Sequence, residues 1–245
     1  MHKYKAPAWA RTIYDTSEKL TEDFGGGPRH LKIAWVINLH KIITLFIIYG
    51  MMLHFDNFST AAWVYLGLHG IYGYCWLVKD FGFRDGSFET RVTYGGAVMM
   101  YIVLIAWYWL IPYLFISRFV EPSGPVLFLA IAMHTQGITW MIAGDCQKHF
   151  SLKYRKGLVT EGVFRYTRNP NFLGEIFIYA SYAILANHWA GYLVLAYAIM
   201  FFLSRMHVKD ESISRYPEWD RYASDSSRLI PWGLAGAIFK PGPQQ

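Results

Sequence analysis

Six stretches of this sequence are so continuously apolar that they suit a lipid bilayer better than a water-facing surface: Ile33–His54, Thr60–Val78, Tyr94–Ser117, Gly124–Ala143, Phe172–Ala186 and His188–Leu203. A spanning helix needs about 17–25 mostly apolar residues. Charged residues make up only 16% of the chain, against about 25% in ordinary globular domains. That shortfall excludes a disordered chain and an ordinary water-soluble surface. The segments show no period-2 alternation, so they read as helices and not as strands of a membrane barrel. The last two are too short to cross alone at about 1.5 Å per residue. They either extend beyond these bounds or form a hairpin about Asn187-His188 that starts inside a protein-lined cavity.

The placement of Lys and Arg gives the topology. Residues 1–32 carry six, 79–93 three, 144–171 six and 204–245 six, whereas the alternate connections 55–59, 118–123 and 187 carry zero, one and zero. The positive-inside rule puts both termini and the two long loops on the cytoplasmic side. The expected fold is therefore an all-α, multi-pass integral membrane bundle of six or seven transmembrane helices. A polar N-terminal segment, 1–32, precedes a single membrane domain, 33–245. The net charge of +6 is accounted for by this topology, so no nucleic-acid partner is expected. Residues 1–32 show no cleavable signal pattern, and the tail from Phe239 to Gln245 shows no lipidation motif. Asn57-Phe58-Ser59 matches a glycosylation sequon close to the membrane, and chance is the simpler reading.

Ionisable groups inside a bilayer are costly and point to function by default. The first apolar segment holds Asn38, His40 and Lys41, the fourth His134 and Gln136, and the fifth opens on Glu175. In the second, His69, Tyr72, Trp76 and Lys79 follow one helical face. A single His is usually a hydrogen-bonded packing residue, and Lys79, like His54, sits near enough to a helix end to snorkel. Lys41 and Glu175 lie too deep for that and predict a water- or ligand-filled cavity on the basic side. Trp107, Tyr108, Trp109 and Tyr113 read as an interfacial aromatic belt. Cys75 and Cys146 form no CxxC, and no HxxxH, HExxH or GxSxG occurs. Metal-site and serine-hydrolase chemistry therefore have no support.

The densest signal lies between Ala143 and Glu175. Lys148, Lys153, Arg155, Lys156, Arg165 and Arg168 gather in one stretch that ends at Asn169-Pro170, a helix start. A helix N-terminus beside arginines is a ready anion site. The interleaved Gly157, Gly162, Asn169, Asn171 and Glu175 favour a shaped pocket over a plain headgroup-binding patch.

Residues 162–175, GVFRYTRNPNFLGE, closely resemble the C-terminal motif of the membrane steroid reductases, the steroid 5-alpha-reductase and sterol reductase superfamily. Asn171-Phe172-Leu173-Gly174-Glu175 is its most specific part. The stretch Tyr216-Pro217-Glu218-Trp219-Asp220-Arg221-Tyr222, with Arg228-Leu229-Ile230-Pro231-Trp232, resembles the closing segment, and Asp145-x-Gln147-Lys148 the Asp-bearing end of the preceding helix. The resemblance covers roughly 140–232. It implies an NADPH-dependent reductase of a C=C bond in a lipid or sterol-like substrate that enters from the bilayer. It also implies that Asp145, Lys148, Arg165, Arg168 and Asn171, with Glu175 and Arg205, bind the cofactor. No GxGxxG is present, so a Rossmann site is excluded.

Steroid 5-alpha-reductases carry a catalytic Glu beside a Tyr in an early helix, but the first four apolar segments here hold no Asp or Glu. Tyr72, Tyr74 and His69 are the remaining candidates to polarise a carbonyl. Two alternatives stay open. One is a membrane methyltransferase using S-adenosylmethionine, for which residues 165–175 and Lys209-Asp210-Glu211 supply a similar pattern. The other is a non-catalytic, reductase-like subunit of a larger membrane complex. The expected setting is an endoplasmic reticulum or other organelle membrane in a eukaryote, or the inner membrane in a bacterium, with membrane lipids as partners.

Overall fold

Polar side chains decide which way each helix faces, because apolar ones occur all round. The computed structural model describes residues 3–233, and 77% of it is helical. The tail from Phe239 to Gln245 lies outside the described residues. An amphipathic helix α1 (Ala8–Asp23) precedes α2 (Ile33–Phe55) and α3 (Thr60–Phe83). A 3-10 turn, Gly86–Glu89, and a two-residue ribbon, β1 (Leu31–Lys32) antiparallel to β2 (Arg91–Val92), tie the far end of α3 to the start of α2.

On α2, Trp35, Leu39, Ile42, Phe46, Tyr49 and Leu53 form an exposed stripe at three- and four-residue steps. Asn38, His40 and Thr44 point inward. This arrangement is inverted relative to a helix in water and suits a surface covered by lipid tails. Asp56 ends α2 in the left-handed conformation, φ 52°. Asn57 then turns inward and donates its amide to the Ile116 carbonyl at 2.8 Å, so the sequon asparagine is a buried cross-link.

The third apolar segment is broken. It runs as α4 (Tyr94–Met100), a π-turn (Tyr101–Ile105), a 3-10 turn (Ala106–Trp109) and α5 (Leu110–Ser117). A π-turn widens the ladder and leaves carbonyls in need of donors. Tyr197 supplies one, its hydroxyl donating to Val103 O at 2.6 Å.

The helix α6 (Gly124–Tyr154) runs well past Ala143, and α7 (Pro170–Ala186) and α8 (Trp189–Ile213) follow. Both readings of the last two segments come together here. The α7–α8 hairpin turns at Asn187, φ 43°, with His188 Nδ1 accepting from Ala190 N–H at 3.2 Å, and α8 extends by about three turns beyond Leu203.

Four helices are long and apolar enough to cross a membrane: α2, the broken 94–117 helix, α6 and α8. Two of the six expected segments differ. In α3, His69 and the interspersed Gly, Tyr and Trp residues lower the apolarity of the helix. The 17-residue α7 is mostly buried and packs against α3, α5, α6 and α8. Its contact with α6 is nearly backbone to backbone: a Cβ on Gly137 would sit 2.6 Å from Gly174 O, and one on Gly144 2.8 Å from the Pro170 ring. Small residues let membrane helices approach this closely. The main core (Tyr65, Phe115, Met141, Ile178 and Tyr182 among others) fills the centre, and a smaller cluster of Val36, Val92, Ala97 and Met100 joins α2 to α4. A short α9 (Trp219–Asp225) closes the described chain against the 162–169 loop.

Candidate functional site

The α3 face predicted from helical spacing is buried as a unit: His69, Tyr72, Trp76 and Lys79. Lys79 does not snorkel, and that expectation is corrected. Its Nζ lies 2.6 Å from Asp145 Oδ2 on α6, with side chains 4% and 6% exposed, and 4.0 Å from the Trp76 ring centroid. The bend toward the core follows from its partner, since Asp145 buried without a counter-charge would be costly. The next residue, Asp80, accepts from Asn38 Nδ2 at 2.8 Å and from Arg84 Nε at 2.8 Å.

Trp76, Lys79 and Asp145 line one wall of a cavity of about 590 Å³. The α7 start contributes Asn171, Phe172, Glu175 and Tyr179, set on one face by their spacing, and α8 contributes Phe202, Arg205 and Lys209 in the same way. Ile33 and Ile37 of α2 and Met100, Leu104 and Ile105 around the π-turn make an apolar wall. Arg11, Tyr14, Glu18 and Thr21 of α1 close it from outside. That roof is pinned by Arg11 to Glu211 at 2.6 Å, Arg205 to Glu18 at 2.6 Å and Ser204 Oγ to Ala10 O at 2.8 Å.

Six cationic side chains line the cavity (Arg11, Lys41, Lys79, Lys148, Arg205, Lys209) against four carboxylates (Glu18, Asp85, Asp145, Glu175). Lys148 reaches Asp85 at 2.5 Å. Burial by itself would raise the Asp85 carboxyl, but the Lys148 ammonium and the Ser87 donors outweigh it and hold it at about 2. Lys209 donates to Arg168 O at 2.6 Å and to Asn169 Oδ1 at 3.0 Å.

A smaller chamber of about 10 Å³ adjoins the cavity, lined by His40, Lys41, Thr44, His69, Tyr72 and Gly73. Lys41, Tyr108 and Tyr179 border both spaces. The hydroxyls of Tyr72 and Tyr179 lie 2.8 Å apart, and Tyr179 donates to Glu175 Oε2 at 3.2 Å.

Of the residues singled out from sequence, Asp145, Lys148, Asn171, Glu175 and Arg205 line the cavity, and His69 and Tyr72 line the chamber. Three do not join them. Tyr74 is 65% exposed, because two residues beyond Tyr72 is about 200° round the helix. Arg165 is exposed on the 3-10 turn Gly162–Arg165. Arg168 is buried elsewhere: it shares Asp210 with Arg228, at 3.2 and 2.9 Å, and donates to Ser226 O at 2.5 Å. It fastens the C-terminal segment and does not face the cavity. The aromatic belt is corrected in part, too. Trp107 and Tyr113 face outward, but Tyr108 borders the cavity, and Trp109 donates to Thr44 Oγ1 at 2.9 Å.

Sequence reasoning passed over Asp85, Tyr179 and the inward face of α1, and weighed Lys209 only as part of the methyltransferase pattern. Tyr179 and Lys209 carried a signal, each standing four residues after a singled-out neighbour, Glu175 and Arg205. Among the described residues no group of three or more His, Cys, Asp or Glu could hold a metal ion. A family model described as a protein of unknown function, DUF1295, matches residues 84–223. No curated protein matches the chain.

Proposed function

Because the chain belongs to the DUF1295 family, whose function is unknown, its activity has to be read from the cavity, and we propose that it is an NADPH-dependent reductase of a C=C bond in a lipid or sterol-like substrate. The observation that carries this reading is the division of the cavity: an excess of cations on the α1, α6 and α8 side, and an apolar wall from α2 and the π-turn. The resemblance of residues 162–175 to steroid reductases supports it as well. A polyanionic carrier fits six cations set against four carboxylates, and a volume of about 590 Å³ falls within the roughly 300–1,000 Å³ usual for ligand pockets.

In this reading Lys148, Lys209 and Arg205 hold phosphates, while Asn171 and Asp145 accept or donate to ribose hydroxyls. Glu175 belongs to the same wall. Bound NADPH supplies a hydride. Phe172, Phe201 and Phe202 keep water from the apolar half. Tyr179 borders the cavity, and by turning its hydroxyl from Glu175 to the ligand it polarises a substrate carbonyl, with Tyr72 behind it as a positioning residue. The segment Lys209-Asp210-Glu211, which also suited a methyltransferase, is bound up in structure: Asp210 in the Arg168–Arg228 clamp and Glu211 against Arg11.

The topology that accompanies this reading has six spans, α2, α3, the broken 94–117 helix, α6, α7 and α8, in one membrane domain with both termini on the cytoplasmic side. The membrane is that of the endoplasmic reticulum or another organelle in a eukaryote, or the inner membrane in a bacterium. Thermal unfolding of the full chain in nanodiscs tests the function. NADPH at about a hundred times its Kd stabilises the folded state by about 2.7 kcal/mol, and Lys148→Ala with Lys209→Ala weakens that effect. Stabilisation by S-adenosylmethionine and not by NADPH would make it a methyltransferase, and no response to either would leave a non-catalytic subunit.

A further inference from the structure

The chamber beside the cavity gathers unpartnered polar groups. His40 and His69 are 2% and 6% exposed, and each Nδ1 is buried without a hydrogen-bond partner. Their rings are held by stacking alone, His40 on Trp109 at 4.9 Å and His69 on Tyr182 at 4.3 Å. Lys41 has no carboxylate within 4.0 Å of its Nζ among the described residues; the ammonium lies 4.0 Å from the centroid of the Tyr72 ring instead. Buried polar groups left in this state cost about 1–3 kcal/mol each, and two of the residues that carry one, His40 and His69, border the same void. An apolar void stays dry, but a polar one takes water when it offers about 10–15 Å³ and two to four partners. This one offers about 10 Å³, with His40, Lys41, Thr44 and His69 in its wall.

We infer that the chamber binds a single water bridging His40, His69 and Lys41, and that this water is the inner end of a proton line through Tyr72 and Tyr179 to Glu175. The direction follows from the donors. Glu175 accepts from Tyr179, so the Tyr179 oxygen is free to accept from Tyr72 at 2.8 Å, and Tyr72 in turn faces the chamber. One proton leaves the Lys41 ammonium for the water and one leaves the water for Tyr72. Each tyrosine gains one and passes one on, and the Glu175 carboxylate gains one. Lys41 ends neutral, Glu175 ends neutral, and the water and both tyrosines are unchanged. The water site stands on this geometry alone. Its use rests on the reductase reading, in which the line supplies the proton that accompanies the hydride onto the C=C bond.

Nuclear magnetic resonance on the full chain in lipid nanodiscs, with no cofactor added, tests it. In wild-type protein carrying [15N]histidine, the ring N–H protons of His40 and His69, assigned with His40→Phe and His69→Phe, show cross-peaks to a bound water; absence of a cross-peak at both rings overturns the water site. With [13Cζ]tyrosine in an equal mixture of H2O and D2O, the Tyr72 carbon gives one line in wild type, because its hydroxyl exchanges rapidly along the line. It splits into two in Tyr179→Phe, which keeps the ring stacked on Tyr108. The same appearance in both proteins overturns the line. Neither measurement involves NADPH, so they fail or succeed independently of the proposed activity.

Discussion

Removing the charge of Asp145 while keeping its shape isolates the strongest electrostatic feature of the cavity wall. Lys79 Nζ and Asp145 Oδ2 are 2.6 Å apart and almost fully enclosed. At an effective dielectric of about 20, that separation gives about 6 kcal/mol of gross attraction. Desolvation of the two ions offsets most of it, so the intact pair adds little net stability. Breaking it is different, because Asp145→Asn leaves a buried ammonium with no full counter-charge in contact. The cost of an orphaned partner is about 3–5 kcal/mol. The low end applies here: the Trp76 ring at 4.0 Å retains a cation–π contact, worth up to about 2 kcal/mol when desolvated. Asp145→Asn is therefore expected to cost about 3 kcal/mol, and Lys79→Met a similar amount. The double variant Lys79→Met/Asp145→Leu should lie within about 1 kcal/mol of wild type, since an apolar pair replaces a costly ionic one. Reversible unfolding in mixed micelles, run as a double-mutant cycle with Asp145→Leu as the second single variant, reads all five proteins. A single variant costing under about 1 kcal/mol, or a double variant costing the sum of the singles, would refute the argument.

Three further outcomes follow from local geometry. Gly174→Ala puts a Cβ within 3.0 Å of the Met141 backbone, where nothing can rotate away, and should cost about 1–3 kcal/mol; Gly67→Ala on α3, with nothing within 4 Å, should be near neutral in the same unfolding assay. Tyr197→Phe leaves the Val103 carbonyl of the π-turn without its donor and should cost about 1–3 kcal/mol, with faster amide exchange over residues 101–109. The Asp85 carboxyl is held at about 2 against an ordinary value of 3.8. Its contribution is complete above pH 3.8 and is lost as the pH falls toward 2. Stability measured across that window should therefore fall more steeply in wild type than in Asp85→Asn, and equal slopes would show that Lys148 does not hold the carboxylate.

The sequence alone settled what kind of object this is. Apolar runs of bilayer length, the scarcity of charge and the spacing of His69, Tyr72, Trp76 and Lys79 are properties of neighbouring residues, and the helix period turns them into faces without further information. The inward position of Asn38, Lys41 and Glu175 was legible for the same reason, because a bilayer gives such groups nowhere else to go. Pairing was not legible. That Lys79 meets Asp145, that Arg168 is spent on Asp210 instead of a ligand, and that α1 roofs the cavity with Arg11 and Glu18 all depend on which helices lie side by side. That arrangement is decided by the glycine seam of Gly137 and Gly174 and by the break after Met100. Periodicity fixes the direction of a side chain on its own helix, whereas its partner is chosen by packing between segments distant in the chain, so the faces could be read in advance and the site could not.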